Sequence, residues 1–128
     1  MFKEIKQPIY PYKVWVSDEE GDAINSKFVT KYEMDFPRTS VMRTFQDVGY
    51  KGDIGALIWI NKELLHYYYR NTISSIVAHE AIHATNIMFT YLGASYTLDE
   101  DEHFAYFVQF ITKQILDILY PNKDKDNK

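Results

Sequence analysis

Hydrophobic and polar positions divide the chain into segments of two periods. From Tyr12 to Val16 the order is Tyr-Lys-Val-Trp-Val, an aromatic and β-branched run with the period of two expected of a strand. Pro8 and Pro11 confine its start to an edge or an extended lead-in. Ile24, Phe28 and Val29 recur near helical spacing and predict a short helix within Ala23–Tyr32. Pro37 rules out one continuous element from Glu33 to Val48, and Met42–Val48 is the second candidate strand. Gly49, Gly52 and Gly55 mark a turn. Ala56–Asn61 (ALIWIN) is an apolar run between turn signals, the third strand. From Thr72 to Leu92 the period changes to 3.6. Ile73, Ile76, Val77, Ala84, Ile87, Met88 and Tyr91 form a stripe, with Thr72 as the expected cap and Gly93 as the left-handed residue past the end. Phe104–Leu119 repeats the pattern through Phe107, Val108, Ile111, Ile115 and Ile118, and Pro121 stops it. Leu64–Arg70, with its run Tyr67-Tyr68-Tyr69, fits neither period. The expectation is an α+β fold in one domain over residues 1–120, a small sheet packed on two long helices, followed by a polar tail over 121–128.

Composition narrows the function. The chain has 128 residues, 46% of them hydrophobic and 25% charged, which is an ordinary globular balance. A net charge of −4 leaves no cation excess to neutralise phosphates, so nucleic acid is not an expected partner. The absence of cysteine excludes disulfides, thiolate metal sites and cysteine nucleophiles. No apolar stretch reaches the ~18 residues of a membrane span, and Met1–Tyr10 lacks the apolar run of a signal peptide. A cytoplasmic location, with neither membrane nor nucleic acid as partner, is the expectation.

Within the first long helix lies His79-Glu80-Ala81-Ile82-His83, an H-E-x-x-H pattern. Residues four apart sit one turn above each other, so two imidazoles at this spacing can reach one metal ion. Glu80 is rotated about 100° from His79, beside the metal rather than on it, where a carboxylate can serve as general base. A chance match to this pattern in a chain of such composition arises about once in 100 sequences. The helix context raises the odds, because polar groups buried among Ile76, Val77, Ile87 and Met88 need a partner. A catalytic zinc usually has a third protein ligand, and the candidates are Asp99, Glu100, Asp101, Glu102, His103 and the upstream His66. The same acidic run also reads as a helix start, with Thr97 and Glu100 as a capping box.

His79-Glu80-x-x-His83 followed by Glu102 resembles the gluzincin metallopeptidases. More closely, HEAIHA (His79–Ala84) and EHFAY (Glu102–Tyr106) resemble small single-domain zincins encoded by phages and prophages, as does the aromatic strand IYPYKVWV. Two relatives of this group fit less well. Proteases of protein–DNA crosslinks carry basic modules that this acidic chain lacks, and peptidases that cleave phage-type repressors carry a second sensor domain. The resemblance implies a minimal zincin core, zinc held by His79, His83 and Glu102, and a peptide or protein substrate in the host cytoplasm. It also implies hydrolysis by a zinc-activated water with Glu80 as base. Chain length permits this ligand set if residues 94–98 run extended and bring Glu102 level with His83; His103 is its rival. Tyr106, one turn after Glu102, is a candidate for oxyanion stabilisation. Asn86 is placed to orient a ligand ring, and His66 with Tyr67–Tyr69 to line a cleft. Ala56–Ile60 is the expected edge strand for an extended substrate. The alternative is a zinc-stabilised binding protein without turnover, which the intact Glu80 argues against.

Overall fold

A computed structural model describes residues 1–94 and 101–121. The strands are β1 (Phe2–Glu4), β2 (Lys13–Ser17), β3 (Met42–Tyr50) and β4 (Asp53–Ile60), and the helices are α1 (Gly21–Lys27), α2 (Lys62–Leu65), α3 (Arg70–Tyr91) and α4 (Glu102–Leu119). The architecture is α+β, as expected. One sheet has the order β1-β2-β4-β3. β1 pairs antiparallel with β2, β2 parallel with β4, and β4 antiparallel with β3.

The alternation in each central strand sorts residues between two cores. Val14, Val16, Ala56, Ile58 and Ile60 face α3 and α4, where they meet Ile73, Val77, Ala81, Met88, Phe107 and Ile111. Trp15, Leu57 and Trp59 face the other side and are covered by Ile24 of α1 with Phe28 and Met34. The sheet is therefore buried on both faces, whereas the sequence predicts only the helical layer formed by the two long helices. A strand covered on both faces reads as a continuous apolar run, and ALIWIN is such a run. Gly55 admits the parallel contact, because a Cβ there would run into the backbone of Lys13. Lys51 and Gly52, with φ of 50° and 86°, form the two-residue turn of the β3–β4 hairpin.

Several expected boundaries move. The turn around Gly49–Gly55 contracts to residues 51–52, since Gly49 bridges Val29 and Gly55 lies within β4. The first helix ends at Lys27, not Tyr32, because Phe28 is already extended and leads Val29 into that bridge. α3 starts at Arg70 with Tyr69 in the cap position and no side-chain cap, so Thr72 is inside the first turn. The Arg70 guanidinium lies 4.5 Å from the Tyr120 ring centroid, a contact that docks this turn earlier than capping predicts. Gly93, at φ 70°, is the left-handed residue expected past α3. Leu64–Arg70 resolves into the end of α2, a turn, and the first residue of α3. The Thr97–Glu100 capping box and the Lys123–Lys128 tail lie outside the described residues.

Candidate metal centre

The H-E-x-x-H spacing does on α3 what helix geometry dictates. His79 and His83 meet edge to face one turn apart with ring centroids 4.7 Å apart, and their Nε2 atoms approach to 3.1 Å. Glu80 Oε2 lies 3.8 Å from His79 Nε2. One ligand atom from each of His79, Glu80 and His83 lies within 4.8 Å of the others. This group can hold a metal ion. Two ligands of a tetrahedral ion at 2.0–2.1 Å stand about 3.3 Å apart, close to the observed separation of the imidazole nitrogens. The same separation accommodates an N–H···N bond between complementary tautomers.

The rotation of α3 divides the motif. Glu80 is only 7% exposed, whereas the His79 side chain is 68% exposed and His83 is also on the solvent side. The expectation that all three are buried with an apolar helix is corrected for both histidines. Ala81, Ala84 and Met88 turn inward instead, and among the motif residues that bear chemistry only Glu80 follows them. Its carboxylate is received by the sheet: Thr44 Oγ1 on β3 donates to Glu80 Oε1 at 2.8 Å and lies 3.3 Å from the Glu80 carbonyl oxygen. No signal in the sequence points to Thr44, because the pairing crosses from strand to helix and has no local period. A cleft of ≈ 390 Å³ opens beside this pair, with Arg43, Thr44 and Gln46 on one wall and Glu80, His83 and Asn86 on the other. A larger cleft of ≈ 550 Å³ lies at the carboxyl end of β4, lined by Glu20, Asp22, Asp35 and Trp59, and contains none of the motif.

Of the remaining ligand candidates, Asp99 and Glu100 lie outside the described residues, and the others stand apart from the motif. Phe89 meets Phe104 with centroids 5.8 Å apart while Arg70 covers Tyr120, so α3 and α4 run antiparallel. The first turn of α4 is thus beside the last turn of α3, about 10 Å along the axis from His83 at 1.5 Å per residue. The expectation that α4 begins level with His83 is corrected accordingly. Glu102 and His103 are exposed in that turn, and Glu102 is not part of the converged group. Tyr106 is 64% exposed on α4. His66 packs against Tyr67 with centroids 4.4 Å apart, before the start of α3 and away from the motif.

Ala56–Ile60 is not an edge: β4 is bordered by β2 and β3 along its length. The strand beside the cleft is β3, which pairs with β4 on one side. Along its other side the described residues place only the bridge from Val29 to Gly49, leaving Arg43–Gln46 without a backbone partner there. Comparison with protein-family models, with curated proteins and with solved structures finds no match. No helix among the described residues is long and apolar enough to cross a membrane.

Proposed function

We propose that the protein is a zinc-dependent metallopeptidase with a minimal zincin-like core. The observation that carries this reading is the asymmetry of the motif: two imidazole nitrogens converge at 3.1 Å on the open side of α3, and the one carboxylate between them is buried and held against their edge. His79 and His83 hold the metal in this reading. Zinc bound there supplies a water of lowered pKa and polarises the scissile carbonyl. Glu80 takes the proton lost by the attacking water at Oε2, the oxygen on the histidine side, and delivers it to the leaving amine. Thr44 holds the opposite oxygen, so proton transfer does not require the carboxylate to reorient.

An extended peptide suits the cleft, because the side of β3 that Arg43–Gln46 leave unpaired among the described residues offers backbone donors and acceptors along its wall. Glu102 is the proposed third ligand, on its resemblance to the gluzincin pattern. Its ligation requires the first turn of α4 to be drawn toward His83 when metal binds. Tyr106 is proposed to reach the oxyanion by the same movement. A purely structural zinc is disfavoured: the core closes around Glu80, while both histidines are outside it.

The test is metal analysis of untagged protein, then digestion of a peptide library with and without a chelator. Stoichiometric zinc with chelator-sensitive cleavage that Glu80→Gln abolishes is the expected result. Failure to bind zinc when it is supplied overturns the proposal.

A further inference from the structure

We infer that Thr44 is the positioning residue of the site, the group through which the edge strand fixes the Glu80 carboxylate for proton transfer. The inference deepens the peptidase reading and rests on it for its catalytic half. A carboxylate on a helix has a nearly free terminal torsion, and only one of its orientations presents an oxygen to the imidazole pair. Thr44 Oγ1 takes Oε1 at 2.8 Å, which leaves Oε2 facing His79. The hydroxyl has one proton to donate, and the shorter of its two contacts receives it, since the Glu80 carbonyl oxygen is farther at 3.3 Å.

Burial makes the bond consequential. Glu80 is 7% exposed, so the carboxylate has little water to replace a lost donor. Thr44 is also well anchored. It stands opposite Ile58 of the central strand, and its neighbours Arg43 and Phe45 pair with Trp59 and Leu57. The side of β3 that carries this hydroxyl borders the same cleft as Glu80 and His83. One strand therefore both offers backbone to an extended substrate and holds the base that acts on it. Substrate pairing that stiffens β3 stiffens the base with it.

The experiment has two arms. The first uses metal-free protein and no substrate: thermal unfolding of wild type, Thr44→Val, Thr44→Ser, Glu80→Met and the Thr44→Val/Glu80→Met pair. Valine keeps the shape of threonine without the hydroxyl, and methionine keeps the length of glutamate without its acceptors. Thr44→Val is expected to lower Tm by several degrees in the wild-type background and by little in the Glu80→Met background, while Thr44→Ser stays near wild type. Equal shifts in both backgrounds overturn the Thr44–Glu80 link. The second arm measures turnover of a cleaved peptide by the zinc-loaded protein. Thr44→Val should lower kcat about 10-fold or more with KM nearly unchanged, and Thr44→Ser should restore it. An unchanged kcat overturns the positioning role. If wild type cleaves no peptide, the peptidase reading and the catalytic half of the inference fail together, and the first arm still decides the structural link.

Discussion

Tyr12 is wholly buried, yet its hydroxyl is tied to a strand edge. It donates to Asp47 Oδ1 at 2.7 Å and accepts from the Asp47 backbone N–H at 3.0 Å. Asp47 sits at φ 53°, where the β3–β4 register slips between Phe45 and Val48, so one phenol clamps both the side chain and the backbone of a bulge. Tyr12→Phe removes only the oxygen. The lost bond to a carboxylate is worth ~1.5–3 kcal/mol, and the Asp47 groups it frees are partly exposed and regain water, so a net cost of about 2 kcal/mol is expected. That corresponds to about 8 °C in Tm for a chain of this size. The pH dependence is more specific. Burial, and next the bond to Asp47, push the phenol well above its usual range. A group raised in this way stabilises the fold fully below its unfolded pKa of about 10, and that contribution falls as pH rises beyond it. Wild type should therefore lose about 1.4 kcal/mol between pH 8 and 11 through Tyr12 alone, a loss the Phe variant lacks. All other ionisable groups are common to both proteins and cancel. Urea unfolding at 25 °C should show a gap of about 2 kcal/mol at pH 8 that shrinks to about 0.6 kcal/mol at pH 11. A gap of the same size at both pH values, or none at pH 8, refutes the clamp.

Three further outcomes follow from the metal-centre reading. Zinc at 100 times its dissociation constant should stabilise wild type by about 2.7 kcal/mol, and His79→Ala should remove most of that gain, read by thermal unfolding with and without chelator. Glu80→Gln should keep zinc affinity within a few-fold and lose roughly 10²–10⁴ in kcat; full turnover on a cleaved peptide would exclude Glu80 as the base. Glu102→Ala should weaken zinc binding 10-fold or more while His103→Ala changes it little. The reverse order would assign the third position to an imidazole, and no change in either variant would remove α4 from the ligand set.

Elements governed by one local period were legible in the sequence. The two long helices, the hairpin strands and the left-handed Gly93 all follow from side-chain spacing and glycine placement. So did the meeting of His79 and His83, which a single helical turn enforces. Features set by tertiary contact were not. β1 is three residues long and carries no periodic signal of its own; its place beside β2 comes from pairing. The assignment of Ala56–Ile60 as an edge overlooked a signal already in the sequence, since an unbroken apolar run marks a strand buried on both faces. The rotation of α3 about its axis could not be read from apolar residues that nearly encircle it. Ile76 and Ile87 are only partly buried and Tyr91 is half exposed, while Glu80, Ala81 and Thr85 are in the core. The level of α4 relative to His83 depends on Phe89 meeting Phe104, a contact between helices that loop length alone leaves open.

That rotation bears on whether the motif is accidental. A helix sorted by solubility alone would turn its carboxylate to water and leave the less polar imidazoles nearer the core. α3 does the opposite: the glutamate is buried and the histidines are exposed. Burying a carboxylate costs several kcal/mol unless hydrogen bonds offset it, and an alanine or leucine at position 80 would incur no such cost. The offset here comes from Thr44, on a strand far away in sequence, and it satisfies one oxygen while the other faces the imidazoles. A carboxylate kept only to hold β3 against α3 would be best served with both oxygens satisfied by donors from the sheet. Glu80 instead keeps Oε2 3.8 Å from His79 Nε2, beside a cleft that Glu80 and His83 both line. An arrangement that bears a folding cost and directs its unspent acceptor toward two converging nitrogens suits the proposed base beside a metal, and the Thr44→Val/Glu80→Met cycle measures the Thr44–Glu80 coupling that offsets this cost.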